Sequence, residues 1–489
     1  MENRVIYIGM EVSLHKFYNL ILLSIGVLVL LAFSFQYFFS ATVPIGGDAP
    51  YHIKISKELP QHPSALKDST YPLSHTFLSL TKILPLNWEK RFILWMCVGY
   101  FFSGILIGLI TKKISGALAS ATAMTFWAVS TWNILPFYRD GTLAQLWSII
   151  FFLLLILLLT YNYNILAGGT AVLIYFCHPA TFAIMAVTLA LFLPFFLLNK
   201  PRFSKLFSIS ILLLIIISII SFFYFSPKIF PYSSVNESGK YLSLSEFMES
   251  RIGIILLLSS FGFIVLSNTK AISQNAKIFI MLIAMTSFFT TFNSLFGAGS
   301  WERRFSPYFI STFIIIGSIG TEELLRKIFS SRFLRITVII AIIAIVCVDG
   351  WPSARGVYKI FDGQRSAMHP EEKSSYEWIK NNLQKNSVIA LNSTRGRGVE
   401  WLPIIAERQT LYLDETKNSL SGSCDSVLKE FLHLDVTHIF FFKWTENIPD
   451  VYTQKTNIFK KIYENTEVIL FEFPNKNHLS EDTIQELCK

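Results

Sequence analysis

Residues 17–52 read FYNLILLSIGVLVLLAFSFQYFFSATVPIGGDAPYH, an apolar run over 17–39 followed by a short loop that carries a carboxylate. A helix of about 20 apolar residues spans the hydrocarbon core of a bilayer. Across the 489 residues, 52% are hydrophobic and 15% are charged, whereas a soluble domain has about 25% charged residues. This composition excludes a water-soluble enzyme and a disordered scaffold. The sequence therefore predicts a polytopic α-helical membrane protein.

About eleven apolar segments are candidate membrane spans, and the first is retained because no small-residue cleavage site follows it. The segments are 17–39, 91–111, 117–135, 142–161, 165–177, 180–198, 205–226, 251–267, 277–296, 307–321 and 335–350.

The stretch 165–198 is interrupted by His178-Pro179. Proline removes a backbone donor and disfavours helix in the preceding residue, so this stretch is either two helices that meet at the break or one kinked span. If it crosses the membrane twice, the dense basic clusters at 112–113, 200–205, 270–277 and 326–335 all fall on one side. Positive residues are retained in the cytoplasm, so we favour two crossings with a cytoplasmic N-terminus. The net charge of +9 then reflects topology rather than nucleic-acid binding.

This orientation places several connections outside the cell membrane, namely the loops 40–90, 136–141, 227–250 and 297–306, the His178-Pro179 turn and the chain from 351. The chain divides into a transmembrane domain, 1–350, and a soluble extracytoplasmic domain, 351–489. The tail has a helix-like segment, EEKSSYEWIKNNL, and strand-like segments SVIALN, HIFFFK and EVILFEF. Alternation of short strands with helix predicts a small α/β domain.

Asp48 lies beside two glycines and a proline, directly after the first apolar run, and His52 follows it. A carboxylate at this position is either a metal ligand or catalytic base that faces the aqueous side, or the cap of the following helix. Asp140 has the same two interpretations at the start of the segment 142–161. If Asp48 and Asp140 are ligands, two carboxylates at the outer ends of different spans would supply oxygen ligands to one divalent cation, Mg²⁺ or Mn²⁺. His178 lies at the same depth as a third candidate ligand, or is a hydrogen-bonded residue of the break.

Arg303 and Arg304 begin a span on the side where positive charge is depleted. They are either snorkelling side chains or a guanidinium clamp on a phosphate or pyrophosphate. Tyr308 is then an interfacial anchor. The tail segment STRGRGVEWLPIIAERQTLY is either a solvated turn or a loop that faces a ligand. Its candidate substrate-binding residues are Arg395, Arg397, Glu400 and Trp401, with Arg408 in the segment that follows.

These motifs resemble those of the GT-C glycosyltransferases, most closely the catalytic subunits of oligosaccharyltransferases. GGDAPYHIKI is similar to the first-loop motif of that group, and DSTYPLSHTFLSLTKIL is similar to the stretch that follows it. YRDGTLAQL resembles the second acidic motif, SVNES a loop that carries a Glu, and ERRF an Arg before a late span. The resemblance is detailed over about the first 200 residues and weaker afterwards.

The resemblance implies that Asp48 and Asp140 are metal ligands and that Arg303 or Arg304 holds the phosphate of a polyprenyl-linked donor. It also implies candidate substrate contacts at His52, Tyr71, Arg139 and Glu237. We therefore expect a membrane glycosyltransferase that transfers a sugar to an extracytoplasmic acceptor. In this enzyme Asp48 orients or deprotonates the acceptor hydroxyl. The alternatives are a transporter of lipid or solute and a non-catalytic glycolipid-binding protein. The sequence contains no GxxxxGK[ST], HExxH or GxSxG motif, which disfavours ATP-driven transport and zinc proteolysis.

Overall fold

A computed structural model describes residues 2–40, 48–66, 71–130, 134, 137, 142–198, 251–292, 302–361, 368–391, 399–412, 429, 431–443 and 459–473. The chain forms two compact units. The helical unit comprises Met1–Pro44 and Ile55–Tyr358, and the sheet unit comprises Ile45–Lys54 and Lys359–Lys489. The predicted limits 1–350 and 351–489 stay a prediction, since one helix runs without a break from Arg332 through residue 350 to Phe361.

Long apolar helices make up the described part of the helical unit. They are α1 (Glu2–Phe39), α2 (Ala49–Glu58, divided between the units after Lys54), α3 (Pro72–Leu80), α4 (Trp88–Ile114), α5 (Ala117–Val129), α6 (Leu143–Thr160), α7 (Asn164–Cys177), α8 (Pro179–Leu198), α9 (Arg251–Asn268), α10 (Gln274–Thr291), α11 (Glu302–Ile328) and α12 (Arg332–Phe361). They overlap ten of the eleven predicted segments, and the eleventh, 205–226, lies outside the described residues.

Five of the described helices are long and apolar enough to cross a membrane. These stretches are Lys16–Phe39, Trp88–Ile114, Leu143–Thr160, Phe305–Ile328 and Arg332–Arg355. In α11, 89% of the most apolar 18-residue stretch is buried inside the protein, whereas in α12 the corresponding share is 22%. Helix α11 is therefore central and α12 peripheral. Apolar side chains at the periphery, such as Leu28, Ile345 and Val348, are exposed. An apolar exterior on long apolar helices identifies a helical membrane protein. The total of eleven spans stays a prediction.

The predicted break at residue 178 is present, because α7 ends at Cys177 and α8 begins at Pro179. His178 has an extended backbone with φ −159° and ψ 121°, the conformation that the residue before proline favours. The stretch 165–198 is therefore two helices rather than one kinked helix. Whether each crosses the membrane, and in which direction, stays a prediction.

Helices α9 and α11 approach each other closely through glycine. A Cβ atom at Gly320 would lie 2.1 Å from the backbone oxygen of Leu258, and one at Gly262 would lie 1.9 Å from the backbone oxygen of Ile316. The hydroxyl of Ser259 also donates to the carbonyl of Phe313 at 3.2 Å. Small residues let membrane helices pack backbone against backbone, and this contact fixes α9 on the central helix.

Helix α5 begins in an unusual way. Gly116, which precedes it, has φ +121° and no side chain to cap the helix. Instead, Glu322 of α11 accepts a hydrogen bond from the backbone N–H of Ala119 at 3.0 Å. Arg326 pairs with the same carboxylate at 3.1 Å. A carboxylate at a helix N-terminus accepts hydrogen bonds from backbone N–H groups and interacts favourably with the positive end of the helix dipole. Glu322 of α11 therefore stabilises the first turn of α5.

The sheet unit contains five strands and one long helix in its described part. They are α13 (Pro370–Asn382), β1 (Val388–Leu391), α14 (Leu402–Ile405), β2 (Gln409–Tyr412), β3 (His438–Phe442), β4 (Lys460–Glu464) and β5 (Val468–Glu472). The strand order is β2-β1-β3-β5-β4, with β2, β1 and β3 parallel and β5 antiparallel to both β3 and β4.

Four predicted tail segments coincide with α13, β1, β3 and β5. Strands β1 and β3 are buried at every position, as is typical of strands covered on both faces, and β5 is buried at all but its last residue. These buried strands are only four or five residues long, so short apolar runs were enough to predict them in this otherwise polar tail. The extracytoplasmic location of this unit stays a prediction.

Candidate functional site

Asp48 directly precedes α2, and its backbone carbonyl accepts a hydrogen bond from the N–H of His52 at 3.0 Å. This is the N-cap position of α2, which is the alternative that the sequence left open. The Asp48 residue is half-buried, whereas His52 is fully buried, with its ring centroid 5.6 Å from that of Tyr51. These three residues belong to the short segment that packs with the sheet unit.

Several predicted site residues lie outside the described residues, namely Arg139, Asp140, Glu237, Arg395 and Arg397. Arg303 and Arg304 occupy the first turn of α11, where a helix presents unpaired backbone N–H groups, and their side chains are not described. Their proposed contact with phosphate stays a prediction.

The tail candidates that the structure describes differ in burial. Glu400 is exposed, but Trp401 has only 1% of its surface accessible, so its ring belongs to the core of the sheet unit. Arg408 is also buried. Its guanidinium donates to the carbonyls of Ala406 and Glu407, and also to those of Lys380 and Leu383 at the end of α13. Four carbonyl partners assign Arg408 to the structure of the unit, and the idea that it faces a ligand is wrong.

A buried polar cluster lies at one end of the helical unit. Its first element is the break between α7 and α8, where the ring of Tyr71 stacks on that of His178 with centroids 5.5 Å apart and planes at 14°. The Nδ1 atom of His178 is 3.3 Å from the hydroxyl of Thr181, in the first turn of α8. Two residues predicted separately, Tyr71 as a substrate contact and His178 as a metal ligand, are therefore neighbours.

The rest of the cluster consists of hydroxyl groups that the sequence analysis did not single out. The hydroxyl of Thr181 is hydrogen-bonded to those of Ser148 and Tyr308, and Ser148 and Tyr308 are 3.1 Å apart. All three side chains are fully buried, although they come from α6, α8 and α11. The prediction that Tyr308 is an interfacial anchor is wrong, because its hydroxyl binds two other helices inside the unit. Hydroxyl residues inside apolar helices were the available signal, since a membrane penalises polar groups that lack a partner.

Helix α3 of the loop 40–90 covers this cluster. Tyr71 directly precedes this helix, and His75 within it has a ring centroid 6.1 Å from that of Tyr71. His75 is completely buried, and desolvation lowers the pKa of its imidazole to about 4. His75 is therefore neutral at pH 7.

Acidification is expected to destabilise the protein through His75. The unfolded chain binds a proton near pH 6.5, but folded His75 binds one only near pH 4. Stability is therefore complete above pH 6.5 and falls as the pH drops towards 4, by about 2 kcal/mol at pH 5. The measurement is the melting temperature of the purified chain at pH 7 and pH 5. His75→Gln should reduce this pH dependence, and His62→Gln, at an exposed position, should not. Equal pH dependence in both variants would contradict the expectation.

The predicted metal site finds no support in the arrangement of the described residues. No three His, Cys, Asp or Glu side chains are close enough to hold an ion within the part of the chain that is described. Asp140, one of the two proposed carboxylate ligands, lies outside that part. The binding of Mg²⁺ or Mn²⁺ therefore stays a prediction.

No protein-family model matches the chain, and no curated protein matches it significantly. Solved structures do match. ArnT from Cupriavidus metallidurans bound to undecaprenyl phosphate aligns with a TM-score of 0.56 and 10% identity, over 93% of this chain and 97% of ArnT. The oligosaccharyltransferase AglB from Archaeoglobus fulgidus, in complex with an inhibitory peptide and a dolichol-phosphate, aligns with a TM-score of 0.52 and 12% identity, over 88% of this chain and 70% of AglB.

The Archaeoglobus fulgidus oligosaccharyltransferase in complex with Zn and sulfate also matches, with a TM-score of 0.52 and 12% identity, over 86% of this chain and 68% of that enzyme. These neighbours are GT-C glycosyltransferases. At 10–12% identity the likeness concerns the fold alone. The resemblance predicted from the sequence motifs is therefore confirmed at the level of the fold.

Proposed function

We propose that this chain is a membrane glycosyltransferase that transfers a sugar or glycan from a polyprenyl-phosphate-linked donor to an extracytoplasmic acceptor. The observation that carries the proposal is the match to ArnT bound to undecaprenyl phosphate, which extends over 93% of this chain and 97% of that one. Because the alignment covers nearly the whole length of both chains, the entire fold of this protein is similar to that of an enzyme with a polyprenyl phosphate ligand. The oligosaccharyltransferase bound to dolichol-phosphate supports the same class of lipid.

Asp48 is the proposed catalytic base. As the acceptor oxygen approaches the anomeric carbon of the donor, the carboxylate accepts the proton of the acceptor hydroxyl. A bond forms between that oxygen and the anomeric carbon, and the bond from this carbon to the phosphate oxygen breaks. Asp48 is half-buried rather than enclosed, so an acceptor from the aqueous side can approach it.

Arg303 and Arg304 are the proposed ligands of the departing polyprenyl phosphate. They lie in the first turn of α11, where unpaired N–H groups and the helix dipole attract an anion. Two guanidinium groups would add charge-assisted hydrogen bonds that strengthen as negative charge develops on the leaving phosphate. No step is assigned to a metal ion.

The remaining assignments follow from this reaction. The polyprenyl chain would lie along the apolar helices, which also contact membrane lipid. The sheet unit is proposed to contact the acceptor or the donor glycan, with Glu400 as its described candidate. The same role is proposed for four residues outside the described part of the chain, Arg139, Glu237, Arg395 and Arg397. His52 and Trp401 are buried, so they are proposed to position the residues around them rather than to contact the substrate directly.

The test is turnover by the native, full-length protein in membranes. A panel of polyprenyl-phosphate-linked hexoses is added, and both loss of the donor and release of free polyprenyl phosphate are measured. We expect release that depends on the protein and exceeds that of matched membranes without it. Binding of a donor without turnover would instead indicate a glycolipid-binding protein. Movement of intact donor across the bilayer without bond cleavage would indicate a transporter.

A further inference from the structure

The turn between α3 and α4, residues 80–87, presents apolar side chains at the surface. Ile83 is 89% exposed and Leu80 is 62% exposed, and Pro85 is exposed as well. The turn is nevertheless anchored, because Thr81 is buried and its hydroxyl donates to the carbonyl of Leu78 at 2.6 Å. Apolar surface left in water costs about 25 cal/mol per Å², so an apolar surface on an anchored turn suggests an apolar partner.

The same turn is attached to the first turn of α4. The guanidinium of Arg91 donates to the carbonyl of Leu84 at 2.9 Å and lies 4.7 Å from the ring centroid of Trp88. The side chain of Asn87 caps α4 by accepting a hydrogen bond from the backbone N–H of Lys90 at 3.0 Å. The depth of the start of α4 in a membrane therefore also sets the depth of the turn.

The length of α4 indicates where the membrane boundary lies. At the other end of this helix the ammonium of Lys113 lies 5.0 Å from the ring centroid of Tyr161, which follows α6. Arg91 and Lys113 are 22 residues apart, a rise of about 33 Å along the helix axis. The hydrocarbon core of a bilayer is about 30 Å thick, and aromatic and long basic side chains concentrate at its two boundaries. The start of α4 and the attached turn are therefore expected at one boundary.

The exposed charges around the apolar side chains are positive. Lys82 and Lys90 are exposed, whereas Glu89, the single acidic residue of the stretch 80–91, is buried. Apolar side chains flanked by exposed ammonium groups are typical of a segment that lies in the headgroup region of an anionic membrane surface.

We propose that the turn between α3 and α4 inserts Leu80 and Ile83 into the headgroup–acyl boundary of the membrane, with Lys82 and Lys90 bound to anionic lipid headgroups. The buried face of α3, which includes His75, packs on α7. Helix α3 therefore lies between this lipid surface and the buried polar cluster at the α7–α8 break. The proposal does not depend on the proposed sugar transfer. The competing occupant is protein, either a second copy of this chain or another segment of it, that covers the same side chains.

Insertion is measured on the full-length protein in lipid nanodiscs, with a bimane label at Ile83→Cys. Gln61→Cys, at an exposed polar position of the loop 40–90, is the control in water. Leu28→Cys, at an exposed position near the middle of the span Lys16–Phe39, is the control in lipid. The labelled parent protein, which has five cysteines, gives the background signal.

We expect the label at position 83 to be quenched by lipid that carries a spin label near the top of its acyl chain, and to be shielded from aqueous iodide. Iodide should quench the label at position 61, and a spin label deep in the acyl chain should quench the label at position 28. Equal quenching by iodide at positions 83 and 61 would overturn the insertion. Shielding of position 83 from both iodide and lipid would also overturn it, because protein would then cover the turn.

The headgroup preference is measured with the same label and two quenchers that differ only in the headgroup, spin-labelled phosphatidylglycerol and phosphatidylcholine. Quenching by phosphatidylglycerol should be stronger by up to about 5-fold for each lysine, the contribution of one basic residue at an anionic membrane surface. Lys82→Gln combined with Lys90→Gln should bring the ratio close to 1, and about 0.5 M salt should lower it.

The matched control for charge is Lys112→Gln combined with Lys270→Gln, which removes two exposed lysines elsewhere on the helical unit. This variant should keep the native ratio. Equal quenching by the two lipids in the native protein would overturn the assignment to an anionic surface. A native ratio in the variant that lacks Lys82 and Lys90 would overturn the role of these two lysines.

Discussion

Replacing Asp48 by Asn is expected to lower kcat for transfer from a polyprenyl-phosphate-linked sugar by about 10²- to 10⁴-fold, the usual contribution of a general base. Asn has the size of Asp and can cap α2 equally well, so the helix should be retained. What it loses is the negative charge that accepts the proton of the acceptor hydroxyl. The measurement is release of free polyprenyl phosphate by the purified variant.

The matched control is Glu58→Gln, which removes a half-buried carboxylate from the other end of the same helix. It should leave kcat unchanged, and both variants should melt at the native temperature. If Asp48→Asn retains native turnover, Asp48 is only a helix cap. If it loses turnover together with its melting transition, the loss reports unfolding, and Asp48→Glu, which restores a carboxylate, then decides whether charge is needed.

The second large effect is expected at Gly320. An added Cβ atom would lie 2.1 Å from the oxygen of Leu258 and 2.8 Å from the nitrogen of Gly262, both backbone atoms that cannot rotate away. Helices α9 and α11 must separate, which costs about 3 kcal/mol as overpacking does. Alanine is better than glycine in a helix by about 1 kcal/mol, so the net loss for Gly320→Ala is about 2 kcal/mol. The melting temperature of the protein in detergent measures it.

Gly169 of α7 offers the matched control, because no heavy atom lies within 4 Å of a Cβ atom placed there. Gly169→Ala gains helix propensity without a clash, so its melting temperature should stay level or rise. The two substitutions are chemically identical and should differ in sign. A native melting temperature for Gly320→Ala would mean that the backbone contact between α9 and α11 is not as close as described.

The helices were predictable because a long apolar run has few alternatives. The break at residue 178 was predictable for a local reason, since proline cannot donate and restricts the residue before it. The tail strands were predictable from short runs such as HIFFFK. The extent of α12 was not, because the mixed segment after residue 350, which includes Pro352, Arg355 and Lys359, continues the same helix to Phe361.

The candidate site was less predictable, since its residues are joined by tertiary contacts. Ser148 and Thr181 look like ordinary polar positions within apolar runs, and only packing of α6 on α8 makes them partners. Burial was equally hidden in the tail. Nothing local distinguishes Arg408, which is held by carbonyls, from an arginine that faces a ligand. A hydrogen-bond network between distant segments has no periodicity that a single sequence can reveal.

The cap of α5 bears on the order in which the protein is completed during synthesis. The donor of this hydrogen bond, Ala119, and its acceptor, Glu322, are separated by 203 residues. At about 5–20 residues per second, a ribosome would need ~10–40 s to reach the acceptor after making the donor. Throughout that interval the backbone N–H of Ala119 lacks its native partner. The native cap of α5 therefore cannot form before α11 has been made.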